Sequence, residues 1–320
     1  MSVRPVGIVM TPVEAKEAQG VTIHRTIGSD KLILLDPFLL LDHMTADAAA
    51  GAAQEIGFPL HPHRGIETLT YVWKGRVHHR DSMGNEDSVG PGGSQWMTAG
   101  GGLFHSEMME VGEDGTHQGL QIWFNLPAAE KLKPPAYRAA RPEEVPEVTL
   151  DGGATVRVVA GTVGGVTGPF EGIAVRPTYL DVRLPEGGAS VSLPAPPGDS
   201  AFAYVVAGRV AFGDEGKKAT EAHLAIFGDG DCPLPPPSVT ITALCPVLTV
   251  SFPCSPSPSS LSAFLVSARC ETRPPPRRNH RKRTKPSRAS WTASRRTAWS
   301  GRCGRSPRFP RATRCPARAG

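Results

Sequence analysis

Two short runs in this chain place metal-ligating side chains two residues apart. "FPLHPHRGIETLTYVWKG", residues 58–75, carries His61 and His63, and "PGGSQWMTAGGGLFHSEM", residues 91–108, carries His105 and Glu107. On a strand, residues i and i+2 project from one face. Each pair therefore presents two donors to the same side. Two such strands meeting face to face would bring three imidazoles and one carboxylate to one point. That donor set suits a first-row metal such as iron, manganese, nickel or zinc, with positions left for water, O₂ or a bidentate substrate. With neutral imidazoles, a divalent ion and one carboxylate leave a single net positive charge, attractive to an enolate or catecholate. A lone histidine on a strand is more often a surface or hydrogen-bonded residue than a ligand. Two His-x-His/Glu pairs joined through a glycine-rich turn region are much less common. "HSEMM" does not fit H-E-x-x-H, which excludes the zinc-protease pattern. His78 and His79, in "GRVHHRD", are expected to face solvent. His43, His117 and His223 stand alone and are expected to be structural or exposed.

The elements that must position these residues are strands. Residues 1–231 hold recurrent runs such as "VTIHRTI", "KLILLDPFLLL", "GLQIWFNLP", "ATVRVVAG" and "TYLDVRLPEGG", rich in Val, Ile, Leu, Phe and Tyr and broken by Gly, Pro and Asp. This density of strands and turns predicts an all-β sandwich or barrel. Only "PAAEKLKPP" hints at a short helix. "LTYVWKGRVHHRDSMG" and "AFAYVVAGRVAFGDEG" share an aromatic-Val-x-x-Gly-Arg-Val pattern, with Gly75 and Gly208 equivalent. Each reads as a hairpin turning at its glycine. The echo predicts two tandem β-barrel domains: 1–133, carrying the metal-type residues, and 134–231, where His223 is the one histidine after residue 136.

Composition changes abruptly after Asp231. Residues 1–231 hold 18 Lys and Arg against 29 acids, a net charge of −11, whereas residues 232–320 hold 17 against one, a net +16. All six cysteines (Cys232, Cys245, Cys254, Cys270, Cys303 and Cys315) and 15 of the 32 prolines follow the seam. The segment 232–320 reads as a disordered basic tail or as the product of a frameshift in a GC-rich gene. "RRNHRKRTKPSR" is a nucleic-acid-binding patch only if the tail is genuine. No C-x-x-C occurs, so a zinc module is not indicated. "SVTITALCPVLTVSF" is the β-prone exception and is expected to pair with an open sheet edge. The N-terminus lacks a basic region followed by an apolar one, and no run of 18 apolar residues exists. A cytoplasmic monomer with no membrane partner is the expectation.

"HPHRGIETLTYVWKG", "GSQWMTAGGGLFHSEM" and "GLQIWFNLP", with "DPFLLLDHM" near the start, closely resemble the pirins, a family of two-barrel cupins; the resemblance runs from residue 1 to about 231. It implies a bicupin (jelly-roll) fold with one Fe²⁺ in the N-terminal barrel, other divalent metals being possible, and a C-terminal barrel without metal. Carried over, the iron ligands are His61, His63, His105 and Glu107. In many other cupins the glutamate after H-x-H is itself a ligand; here that is Glu67, which the pirin pattern makes a pocket residue orienting a ligand histidine. The activity implied is that of a quercetin 2,3-dioxygenase acting on a flavonol, a small aromatic substrate, with Glu107 or Glu67 as catalytic proton acceptor. The alternative is a non-enzymatic iron-dependent redox sensor or transcription cofactor that binds a protein partner. A zinc-dependent cupin isomerase is a third reading. Fold alone does not decide among them.

Overall fold

The computed structural model describes residues 3–47, 56–185, 189–196, 198–228 and 238–244, and the backbone of 261–268. The six cysteines and the basic run at 277–288 lie outside the described residues. The described chain is β throughout, apart from a single 3₁₀ turn at Pro142–Glu144. No helix among the described residues is long and apolar enough to cross a membrane.

The first half supplies β1 (Val6–Met10), β2 (Val13–Ala15), β3 (Thr22–Arg25), β4 (Phe38–Asp47), β5 (Ile56–His63), β6 (Ile66–Lys74), β7 (Arg76–Asp81), β8 (Glu86–Val89), β9 (Ser94–Thr98), β10 (Leu103–Glu110), β11 (Thr116–Asn125) and β12 (Ala136–Ala140). The second supplies β13 (Glu147–Thr149), β14 (Thr155–Ala160), β15 (Thr162–Val163), β16 (Val166–Thr167), β17 (Thr178–Leu184), β18 (Ser190–Pro194), β19 (Ser200–Ala207), β20 (Arg209–Phe212), β21 (Lys217–Thr220), β22 (Leu224–Phe227), β23 (Ser238–Ala243) and β24 (Leu261–Ala268).

They form two barrels of one plan. The first joins a seven-stranded sheet, β12-β9-β6-β11-β4-β3-β2, to a four-stranded sheet, β5-β10-β7-β8. The second joins β1-β22-β19-β24-β17-β14-β13 to β18-β23-β20-β21. The two large sheets lie back to back. Leu69, Tyr71, Leu120, Ile122 and Phe124 of the first pack with Tyr179, Phe202, Tyr204 and Leu224 of the second. Strand β6 is thus covered on both sides, which is why "IETLTYV" is buried at every position instead of alternating.

The echoed Gly-Arg-Val motifs mark equivalent places, but neither is a hairpin. At Gly75 the chain leaves the large sheet (β6) and enters the small one (β7), and at Gly208 it passes likewise from β19 to β20. Both glycines have positive φ, 71° and 84°. A Cβ at Gly75 would lie 2.3 Å from the Glu110 carbonyl oxygen, so this corner admits only glycine. The helix hinted at in "PAAEKLKPP" is a pair of turns closed by Glu130 N–H to Pro127 O and Lys133 N–H to Glu130 O; Pro134 pushes the residue before it out of the helical region and stops any continuation.

The second barrel recruits chain from outside residues 134–231. β1 pairs with β22, and β23 lies between β18 and β20. β24 lies between β17 and β19. "SVTITA" therefore occupies an interior position, with Val239, Ile241 and Ala243 buried and Thr240 and Thr242 between them, a strict period of two.

Candidate metal centre

The two histidine-bearing strands are neighbours in one sheet and do not oppose each other across the barrel. β10 pairs antiparallel with β5, placing His105 opposite His61 and Leu103 opposite His63. β5 is an edge strand, so Pro59 and Pro62 remove N–H donors where the sheet can spare them. Between His61 and Phe58 the register slips by one residue against His105 and Glu107. Such a bulge re-aims side chains, and here it lets His61 Nδ1 reach the Pro59 carbonyl at 2.7 Å. That bond holds the proton on Nδ1 and leaves the Nε2 lone pair facing His63.

The donor nitrogens of His61, His63 and His105 all lie within 4.8 Å of one another. His61 Nε2 and His63 Nε2 are 3.1 Å apart. Both ring nitrogens of His105 are buried and have no hydrogen-bond partner among the described residues. Burial, with the neighbouring His105 and His61, lowers the His63 pKa to about 4, and the Glu107 charge opposes that. Burial, then His61 and His79, lowers His105 to about 3. Both rings are neutral near pH 7, the form that binds metal. Converging lone pairs and an unpartnered buried imidazole are costly unless a cation lies among them. The residues present therefore fit a metal ion.

Glu107 faces the same lumen but is held in a polar cradle of its own. Its Oε1 accepts from Gln95 Nε2 at 2.5 Å and Thr70 Oγ1 at 3.2 Å, and its Oε2 accepts from Gln121 Nε2 at 2.8 Å. A second layer orients these amides. Tyr137 Oη donates to Gln95 Oε1 at 3.1 Å, and Trp123 Nε1 donates to Gln121 Oε1 at 3.0 Å. Trp123 also stands edge-on to His63, ring centroids 4.8 Å apart. The cluster within 4.8 Å comprises the three histidines; the Glu107 carboxylate is outside it. Gln95, Gln121, Thr70, Tyr137 and Trp123 were not anticipated. Their one sequence signal is polarity at alternate positions of otherwise apolar strands, as in "TLTY" and "LQIW".

Glu67 is not brought to the histidines. It precedes Thr70 on β6 by three residues, an odd spacing, so it leaves the opposite face of the sheet. There it is buried between the barrels, accepting from Thr98 Oγ1 at 2.7 Å. Parity is counted only within one strand, and the turn at Gly65 separates Glu67 from His63. His79, expected in solvent, is fully buried. Its ring stacks on Tyr137 at 4.0 Å, lies 5.3 Å from that of His105, and donates from Nε2 to Asp81 Oδ2 at 3.2 Å. His78 does face solvent, paired with Glu110. His43 and His117 are buried, and His43 bonds to Tyr204 and Gln118.

Two barrels of one strand order, one of them with three converging imidazoles inside, define a bicupin with a metal-type centre in its first barrel. A family model described as pirin matches residues 20–124. A pirin-like protein of Caulobacter vibrioides is 44% identical over 188 residues, 58% of this chain and 67% of that protein. A Pseudomonas aeruginosa protein provisionally named a quercetin 2,3-dioxygenase is 40% identical over 215 residues, 65% of this chain and 72% of that one. The solved structure of the Escherichia coli pirin YhhW in complex with nickel(II) superposes with a TM-score of 0.56 at 20% identity, covering 81% of this chain and 98% of that one. The chain belongs to the pirin family.

Proposed function

We propose that this pirin is an iron-dependent dioxygenase acting on a flavonol of the quercetin type. The observation that carries the reading is the convergence of His61, His63 and His105, with both nitrogens of His105 buried and unpartnered. When bound, Fe²⁺ supplies Lewis acidity and a redox-active position for O₂. His61, fixed by Pro59, presents Nε2. His63 and His105 stay neutral because burial disfavours their charged forms. Glu107, on the same lumen face, is the proposed fourth donor and the acceptor of the substrate's hydroxyl proton, oriented by Gln95, Gln121 and Thr70. Beside His63 an open, mostly apolar depression is lined by Pro62, Arg64, Ser82, Leu103 and Phe104; Pro62 and Phe104 alternate with the histidines and face outward, so it adjoins the centre at the surface. The relative from Pseudomonas aeruginosa supports the activity by its name.

A second reading, a redox-sensing regulator that binds a protein partner, is favoured by Leu60 and Phe104, large apolar side chains exposed on the strands that carry the histidines. An oxygen electrode separates the two. The dioxygenase reading expects O₂ uptake with quercetin, abolished by a chelator and by His105→Ala. Metal-loaded protein that binds quercetin without consuming O₂ supports the regulator instead.

A further inference from the structure

A row of three side chains crosses the small sheet of the first barrel. His105 on β10 stands opposite His61 on β5 and, on its other side, opposite Asp81 on β7. Cross-strand partners share a face, with Cβ atoms about 4.5–5.5 Å apart. Asp81 therefore turns into the lumen beside His105, on the side away from His61. The spacing His79-x-Asp81 repeats that of the two ligand pairs, and both side chains are fully buried. Four donors hold the carboxylate. Oδ1 accepts from the Met83 amide at 2.9 Å and the Asn85 amide at 3.1 Å. Oδ2 accepts from Asn85 Nδ2 at 2.8 Å and His79 Nε2 at 3.2 Å. Burial opposes ionisation, yet Asn85, His79 and Met83 together hold the Asp81 carboxyl below its ordinary value. At His105 burial is the largest influence, and Asp81 pulls against it, favouring positive charge there. No bond joins the two: both His105 nitrogens lack a partner among the described residues. Asp81 thus reaches the centre as a fixed charge and not as a hydrogen-bond anchor for the ring.

We propose that Asp81 is a positioning residue that biases the centre toward the higher oxidation state of its metal. The inference rests on the metal reading of His61, His63 and His105, and not on the dioxygenase reading. With Glu107 as the one carboxylate, a divalent ion leaves one net positive charge. Asp81 brings that sum to zero for Fe²⁺ and to one positive charge for Fe³⁺. An anion attracts a trivalent ion more strongly than a divalent one, and burial away from water keeps the difference from being screened. His105 stands between Asp81 and the other histidines, so Asp81 acts on the ion through this ring and across the lumen without being a ligand.

The test is spectroelectrochemical titration of the iron-loaded full chain at pH 8, with circular dichroism and iron content confirming that each variant is folded and loaded. Asp81→Asn keeps the shape and an acceptor for the turn amides but removes the charge. Fe³⁺ is then held about tenfold more weakly relative to Fe²⁺, the scale of changes around metal ligands, and the midpoint potential rises by about 59 mV. Asp81→Ser, which also keeps an acceptor for Met83 and Asn85, is the second neutral variant and gives the same rise. Asn85→Ala loosens the same turn with the charge in place and leaves the potential near that of the wild type. Glu86→Gln removes an exposed acid of the same hairpin, paired with Arg80, and changes nothing. Four results overturn the proposal: an unchanged or lowered potential in the neutral variants; an equal rise in Asn85→Ala, which assigns the effect to the turn; loss of iron from both neutral variants while folded, which makes Asp81 a ligand; or no iron in the wild type, which removes the metal reading with it. Iron-loaded protein that shows the shift but takes up no O₂ with quercetin loses the dioxygenase reading and keeps this one.

Discussion

In the first barrel β5, β10, β6 and β9 turn His61, His63, His105, Glu107, Thr70 and Gln95 toward the lumen. At the corresponding places in the second barrel β18, β23, β19 and β22 turn inward Val191, Leu193, Val239, Ile241, Ala203 and Ala225, part of one apolar cluster. The strand order is the same, so the backbone plan does not choose the chemistry. The inward half of each strand's alternation does. The second barrel gains stability from apolar burial, at roughly 25 cal/mol per Å². The first gives up part of that gain to hold polar groups, and each of them must then find a partner.

The contrast can be broken from the second barrel first. Ile241→Ala removes a fully buried side chain, and truncations of this kind cost about 2–5 kcal/mol. Chemical denaturation should show that loss while metal content per folded chain is unchanged. A loss of metal with it would mean that the lumens are not separate.

Acid should act through the first barrel. Burial, then His24, lowers the pKa of fully enclosed His43 to about 4. The unfolded state, with a histidine near 6.5, binds the proton more readily between those values, so stability falls as pH drops from about 6.5 to about 4 and levels off below. At 1.36 kcal/mol per unit the full effect is about 3 kcal/mol. His43→Gln should flatten the pH dependence over that window by roughly one proton; an unchanged slope would assign acid sensitivity elsewhere.

Smaller still is the effect expected of Glu107→Gln. The amide keeps the shape and loses the charge, and changes beside a metal typically cost 10–100-fold in affinity. Competition with a chelating dye reads it directly, and an unchanged affinity would remove Glu107 from the proposed ligand set. The least effect is expected from His78→Ala. Its pair with Glu110 is exposed, so no more than about 1 kcal/mol is at stake, with no change in metal binding.

Much of the first barrel was legible in the sequence, because period-two spacing survives folding. H-P-H and H-S-E each put two donors on one face, and the repeated Gly-Arg-Val exposed the duplication. What could not be read depends on how strands meet. Gly75 and Gly208 look like hairpin turns until the sheets are known to change there. His79 looks exposed beside His78 because nothing in "GRVHHRD" says which of two adjacent histidines faces inward. Glu67 looks close to His63, but a turn at Gly65 resets the alternation. Strand β23 sits in a segment whose prolines and charge set it apart, and its alternating Val239, Ile241 and Ala243 prevail because an interior position between β18 and β20 buries them.

Three imidazoles in the first barrel are proposed to hold a metal, and no comparable cluster occurs among the described residues of the second. Elemental analysis of purified wild type and His105→Ala, both confirmed folded, tests it most directly. About one transition-metal ion per chain is expected in the wild type and none in the variant. Equal metal content in the two proteins would contradict it.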